Sequence, residues 1–104
     1  MIFDWDENKE RANIKNHDGI DFEEASRAIQ DYFALEEYDD KHSTAIEKRY
    51  ACIGTVKSKI LYVVYTIRNE STDDEICRII TARLAEPKEI ESYEREKFKS
   101  GYFR

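Results

Sequence analysis

The stretch Ile60 to Ile67 (Ile-Leu-Tyr-Val-Val-Tyr-Thr-Ile) constrains the fold of this chain more than any other segment. It is almost continuously apolar and β-prone, so it predicts a central strand covered on both faces. A central strand needs neighbours. Lys48 to Val56 supplies one through a Lys57-Ser58-Lys59 hairpin turn, and Glu75 to Arg83 supplies another beyond the polar turn Asn69 to Asp74. Leu35 to Tyr38 reads as a further short strand, ahead of the polar stretch Asp39 to Glu47. A chain of 104 residues has length for one domain, 1–104, and not for two.

Helical signals flank these strands. Ile2-Phe3-Asp4-Trp5 alternates like a short strand, and Asp6 is placed to cap a helix from about Glu7 to His17. Only Ala12 and Ile14 are apolar in that helix, so it is expected on the surface, packing through Trp5 and its own Lys and Arg stems. Asp18-Gly19 ends it. Asp21 with Glu24 resembles a capping box, and Phe22, Ala25, Ile29 and Tyr32 or Phe33 form one stripe that must face a core. Glu86-Pro87 opens a last helix, Pro87 to about Lys97. The order βααββββα predicts an α+β domain: a small twisted antiparallel sheet with two N-terminal helices and one C-terminal helix.

Composition narrows the function. No apolar run reaches the roughly 18 residues of a membrane span, and Met1-Ile2-Phe3-Asp4 lacks a leader pattern, so a cytoplasmic protein is expected. Cys52 and Cys77 are isolated in apolar runs and read as small buried hydrophobes in a reducing compartment. The net charge of −6 is the wrong sign for gripping nucleic acid by overall attraction. That charge is uneven: residues 18–47 carry −8, while 48–83 carry +3. The acidic half is expected to receive a basic partner or a second copy, and the basic segment leaves room for a local anion site.

No standard catalytic motif is present. Asp39-Asp40-Lys41-His42-Ser43 has metal-binding residue types, but capping of loop backbone is the stronger reading; His17 reads first as a helix C-terminal cap. Arg68, Arg78 and Arg83 are harder to dismiss, because an arginine in a sheet needs a carboxylate partner or an anion, and its fork matches phosphate. A symmetric turn near Thr72 would set Arg68 against Ile76 and Arg83 against Leu61, about 23 Å apart along the sheet. Arg68 and Arg78 would then share a face and Arg83 would lie on the other, an arrangement that one bulge reverses.

Phe3-Asp4-Trp5-Asp6 followed by Lys9, Asn13 and Lys15/His17, then Phe22-Glu23-Glu24-Ala25, Asp39/Asp40-x-His42-Ser43, Ile53-Gly54, Val63-Val64-Tyr65-Thr66-x-Arg68 and Arg78-Ile79-Ile80-Thr81-Ala82-Arg83, resemble the BrnT family of toxins from Phe3 to about Tyr93. The resemblance implies a RelE-like fold and an endoribonuclease toxin of a type II toxin-antitoxin pair. It also implies neutralisation by a BrnA-like ribbon-helix-helix antitoxin, a toxin homodimer within a heterotetramer, and operon repression with DNA contacted only through the antitoxin. By motif it marks Arg68 and Arg83 as important for toxicity, with Glu75 as the acidic residue between them, and Trp5, Lys15 and His17 as further characteristic positions; catalytic roles are expected for Arg68, Arg83, Glu75 and His17, and RNA-binding roles for Lys15, Arg78, Trp5 and Lys9. No metal or other cofactor is called for: the RNA 2′-OH can attack its own phosphate if arginines stabilise the phosphorane and a nearby base takes the proton. Arg83, at a strand end, is expected to contribute little to the core. The rival reading is a non-catalytic interaction module in an operon-regulating complex.

Overall fold

The computed structural model describes residues 1–101. Its elements are β1 (Ile2–Trp5), α1 (Glu7–Asn16), α2 (Phe22–Ile29), β2 (Leu35–Tyr38), β3 (Glu47–Val56), β4 (Lys59–Arg68), β5 (Ile76–Leu84) and α3 (Pro87–Lys99). The predicted order holds, and the strands form one sheet in the order β1-β5-β4-β3-β2. The sheet is mixed rather than purely antiparallel, because β1 joins the edge of β5 in parallel, with Asp4 opposite Arg78 and Trp5 opposite Ile79. Among the described residues no helix is long and apolar enough to cross a membrane.

The central strand is buried differently from the expectation. Leu61, Val63, Tyr65 and Ile67 are buried on one face of β4, together with Cys52, Cys77, Ile79 and Ala82, beneath Phe22, Ala25 and Ala28 of α2. The opposite face carries Tyr62, Val64, Thr66 and Arg68. There α3 covers only one end, where the Tyr93 hydroxyl meets Thr55 at 3.0 Å and Glu89 meets Arg83. A long β-prone run therefore marks a strand buried on one side and partly open on the other, because there is one covering helix too few. Both cysteines are free and buried, and burial pushes their thiols up to about 12.

Gly54 lets α2 close onto the sheet. A Cβ there would run into the backbone carbonyl of Ala28, which cannot yield without moving the helix. Gly54→Ala is expected to destabilise the fold by about 3 kcal/mol, the upper end for overpacking, and urea unfolding read by circular dichroism measures it.

The α2 stripe ends earlier than the periodicity predicts. Tyr32 lies outside the helix and is 86% exposed. The cause is Asp31, whose carboxylate accepts from the Phe33 N–H at 3.0 Å, the Thr55 N–H at 2.9 Å and the Tyr93 hydroxyl, tying the chain to β3 and α3 instead of another helical turn. Burial alone would raise the Asp31 carboxyl, but these donors hold it below its usual value. Glu24 is likewise held low, chiefly by the Lys59 ammonium against the opposing cost of burial. Both folded values lie below the unfolded ones, so this stability is complete above the unfolded values, 4.5 for Glu and 3.8 for Asp, and is lost as the pH falls through the folded values. Thermal midpoints are expected to hold from pH 7 to about 5 and to drop below pH 4.5; a flat profile down to pH 3 would exclude these two carboxylates as contributors.

Candidate functional site

Alternation along β4 sets one face of the site. Arg68, Thr66, Val64 and Tyr62 point away from α2, and their β3 partners Glu47, Arg49, Ala51 and Ile53 share that face. On β5, Ile76 and Arg78 stand opposite Arg68 and Thr66. The register then slips: Tyr65 pairs with Ile79 but Val64 with Thr81, leaving Ile80 as the extra residue of a bulge. Beyond it Arg83 stands opposite Tyr62, not Leu61. All three arginines thus lie on the open face. The signal was present in the spacing of the apolar residues: strict alternation through Cys77 and Ile79 would bury Thr81 and Arg83, whereas one extra residue buries Ala82 instead.

Asn13 holds this bulge in place. The parallel pairing of β1 ends at Ile79, and from there the side chain of Asn13 substitutes for an edge strand. Its Nδ2 donates to the Ala82 and Ile20 carbonyls at 2.8 and 3.0 Å, and its Oδ1 accepts from the Ala82 N–H and the Thr81 hydroxyl, both at 3.0 Å. Asn13 is 4% exposed, so a buried amide anchors α1 to the sheet. Sequence reasoning placed no role on it.

Arg68 and Arg78 converge. With Asp4 and Ile76 they line a cavity of about 320 Å³. Arg68 Nε lies 2.8 Å from Glu47 Oε2, and Arg78 Nη1 lies 3.2 Å from Asp4 Oδ1. Both guanidinium groups stay accessible, with side chains 59% and 39% exposed. Thr66 Oγ1, in the row between Arg49 and Arg78, is buried with no hydrogen-bond partner among the described residues, and the buried Asp4 Oδ1 meets Arg78 as an ion pair without hydrogen-bond geometry. Two forks and the Asp4 carboxylate at one concave spot, with Glu47 beside Arg68, have the residue types for stabilising a phosphorane and accepting a proton.

Arg83 is in a different situation. It stands six positions along β4 from Arg68, about 20 Å away. Its Nη1 and Nη2 donate to Glu89 Oε1 and Oε2 at 2.8 and 2.9 Å, and its Cζ sits 4.2 Å over the Tyr62 ring. The Glu89 hydrogen bond holds the Arg83 guanidinium above its usual value, and Arg83 in turn holds the Glu89 carboxyl low. Since Glu89 also accepts from the Glu86 N–H at 2.8 Å, Arg83 fastens the first turn of α3 to the sheet, against the expectation that it does little for folding.

The remaining expected residues are dispersed. Glu75 accepts from the Ser71 N–H at 2.9 Å and braces the β4–β5 loop; the carboxylates paired with Arg68 and Arg78 are Glu47 and Asp4 instead. His17 is the C-cap of α1, its N–H donating to the Asn13 carbonyl at 2.8 Å. His17 and Lys9 line a groove of about 220 Å³ against Ile80 and Thr81. Lys15 is exposed on α1 outside that groove. Trp5 packs edge-on against Phe22, ring centroids 6.1 Å apart, on the core side of the sheet and not with the arginines. The Asp39 cluster caps its loop: Asp39 takes the His42 N–H and ring, and Ser43 bonds Asp39 and Arg49 backbone atoms.

Residues 5–89 match a family model described as "Ribonuclease toxin, BrnT, of type II toxin-antitoxin system". No curated protein matches the chain.

Proposed function

Because this chain belongs to the BrnT family of ribonuclease toxins of type II toxin-antitoxin systems, we propose that it is an endoribonuclease whose reacting phosphate binds in the Arg68–Arg78 cavity on the open sheet face. The observation that carries this reading is the convergence of two accessible arginines from adjacent strands, each already beside a carboxylate. A phosphate entering the cavity exchanges for Glu47 and Asp4 as the partner of the forks and frees those carboxylates. One of them takes the 2′ proton while the 2′-oxygen forms its bond to phosphorus; the bond from phosphorus to the 5′-oxygen breaks, the leaving oxygen takes a proton from water, and the protonated carboxyl returns its own to solvent. The products are a 2′,3′-cyclic phosphate and a 5′-hydroxyl. Arg68 and Arg78 stabilise the added negative charge between these states, so the residue types suffice without a metal.

Incubating the pure protein with RNA in excess EDTA tests this. Cleavage is expected to persist and to leave cyclic phosphate ends; loss of cleavage in EDTA, restored by a divalent cation, would sink the metal-independent mechanism.

The antitoxin partner implied by the family is proposed to be a ribbon-helix-helix protein with a basic segment, docking on the acidic surface of α2 and β2, where Glu23 and Glu36 are exposed on the side of the sheet that α2 covers. A toxin dimer within a heterotetramer, repressing its operon through the antitoxin's DNA-binding domain in the cytoplasm, completes the proposal. The carboxylate partner on each of Arg68, Arg78 and Arg83 favours one alternative, a non-catalytic module, which growth arrest on expression without the antitoxin would exclude.

A further inference from the structure

The groove between α1 and the bulge of β5 lies beside the arginine cavity and has its own set of donors. Lys9, Asn16 and His17 face Ile80 and Thr81 across it. Lys9 is exposed and forms no ion pair among the described residues, in contrast to Arg68, Arg78 and Arg83. The last turn of α1 opposes an anion less than a bare helix end would, because the His17 and Gly19 N–H groups already take the Asn13 and Ile14 carbonyls. Asp6 connects the two places: its carboxyl, held low first by the Lys9 backbone N–H, also feels the charges of Arg78 and Lys9.

The bulge sets the spacing. On the open face Arg78, Thr81 and Arg83 stand opposite Thr66, Val64 and Tyr62, so successive positions are two β4 residues, about 7 Å, apart. That step is close to the phosphate-to-phosphate distance of an extended single RNA strand. We infer that the Lys9–Asn16–His17 groove is a second phosphate subsite, which takes the phosphate adjoining the one that reacts in the Arg68–Arg78 cavity. This rests on the ribonuclease reading and adds to it a substrate form: a single strand laid along β5, held at two consecutive phosphates, with Arg83 and Tyr62 one step further on.

The test compares single-stranded RNA of two lengths on the full chain, a dinucleotide carrying only the reacting phosphate and a tetranucleotide carrying its neighbours. Lys9→Ala is expected to raise KM for the tetranucleotide about tenfold, the effect falling on KM more than on kcat, and to raise it far less for the dinucleotide. The dependence of tetranucleotide binding on salt should fall by about 0.7 in logarithmic slope, one phosphate contact. Lys9→Arg should restore both, and Asn16→Ala should repeat the length dependence more weakly. An equal effect of Lys9→Ala on both lengths, or an unchanged salt slope, overturns the subsite while leaving the ribonuclease reading standing. Wild-type protein that cuts neither oligonucleotide overturns that reading and this inference with it.

Discussion

Arg68→Ala is expected to lower kcat for RNA cleavage by about 10²–10³-fold, the usual loss when one preorganised donor to a developing oxyanion is removed. Arg78→Ala should cost a similar factor, and the double variant less than the product of the two, because both forks act on one phosphorane. The fold should survive: Arg68 ends its strand with its side chain 59% exposed, and its pair with Glu47 is a surface pair of little worth to stability. Single-turnover rates at saturating RNA, beside thermal melts, read the two effects separately. An Arg68→Ala protein with wild-type kcat would remove the cavity from the chemistry. Arg83→Ala should behave differently, because Arg83 holds Glu89 and lies about 20 Å away. It should loosen α3 and lower the melting temperature as well as weaken RNA binding, so a loss of activity there is not by itself a catalytic result.

The second large effect is expected at Asn13. Asn13→Ala leaves the N–H and carbonyl of Ala82 and the carbonyl of Ile20 without their partner in a buried place. At about 1–3 kcal/mol for each buried orphan, with some relief from entering water, the change should cost about 4 kcal/mol in all. Asn13→Asp separates the contributions: it keeps the acceptor for Ala82 N–H and Thr81 Oγ1 but loses both donated bonds and places a charge where two carbonyls converge. It should therefore be no better tolerated than alanine. Urea unfolding gives the stability, and amide exchange at Ala82 gives the local consequence. Protection of that amide at the wild-type level in Asn13→Ala would show that Asn13 does not pin the edge of β5. Since the bulge sets where Thr81 and Arg83 point, a tolerated Asn13 variant should also show altered use of longer RNA.

The strands were readable because their information is local. The β-branched run of β4, the Lys57-Ser58-Lys59 turn and the caps at Asp6, Asp21 and Glu86-Pro87 each act within a few residues, and each element falls where its signal lies. The arginines were readable as candidates for a related reason: a guanidinium inside a β-prone segment demands a partner wherever the strand goes. What the partner is could not be read. Glu47, Asp4 and Glu89 reach Arg68, Arg78 and Arg83 from the paired strand β3, the parallel edge strand β1 and the helix after the sheet. Glu75, near in sequence, turned instead into its own loop.

The sequence by itself determined the α+β class, the element order, the family and a basic segment within an acidic chain. Only the tertiary structure decided which residues stand together. A single extra residue at Ile80, stabilised by a buried amide 67 positions earlier in the chain, moves Arg83 to the face of Arg68 and Arg78 and opens the Lys9–His17 groove beside them. The physical reason is that a strand's side chains alternate with a period of two, so the face of every residue past a slip depends on pairing partners distant in the sequence, and not on the residue itself.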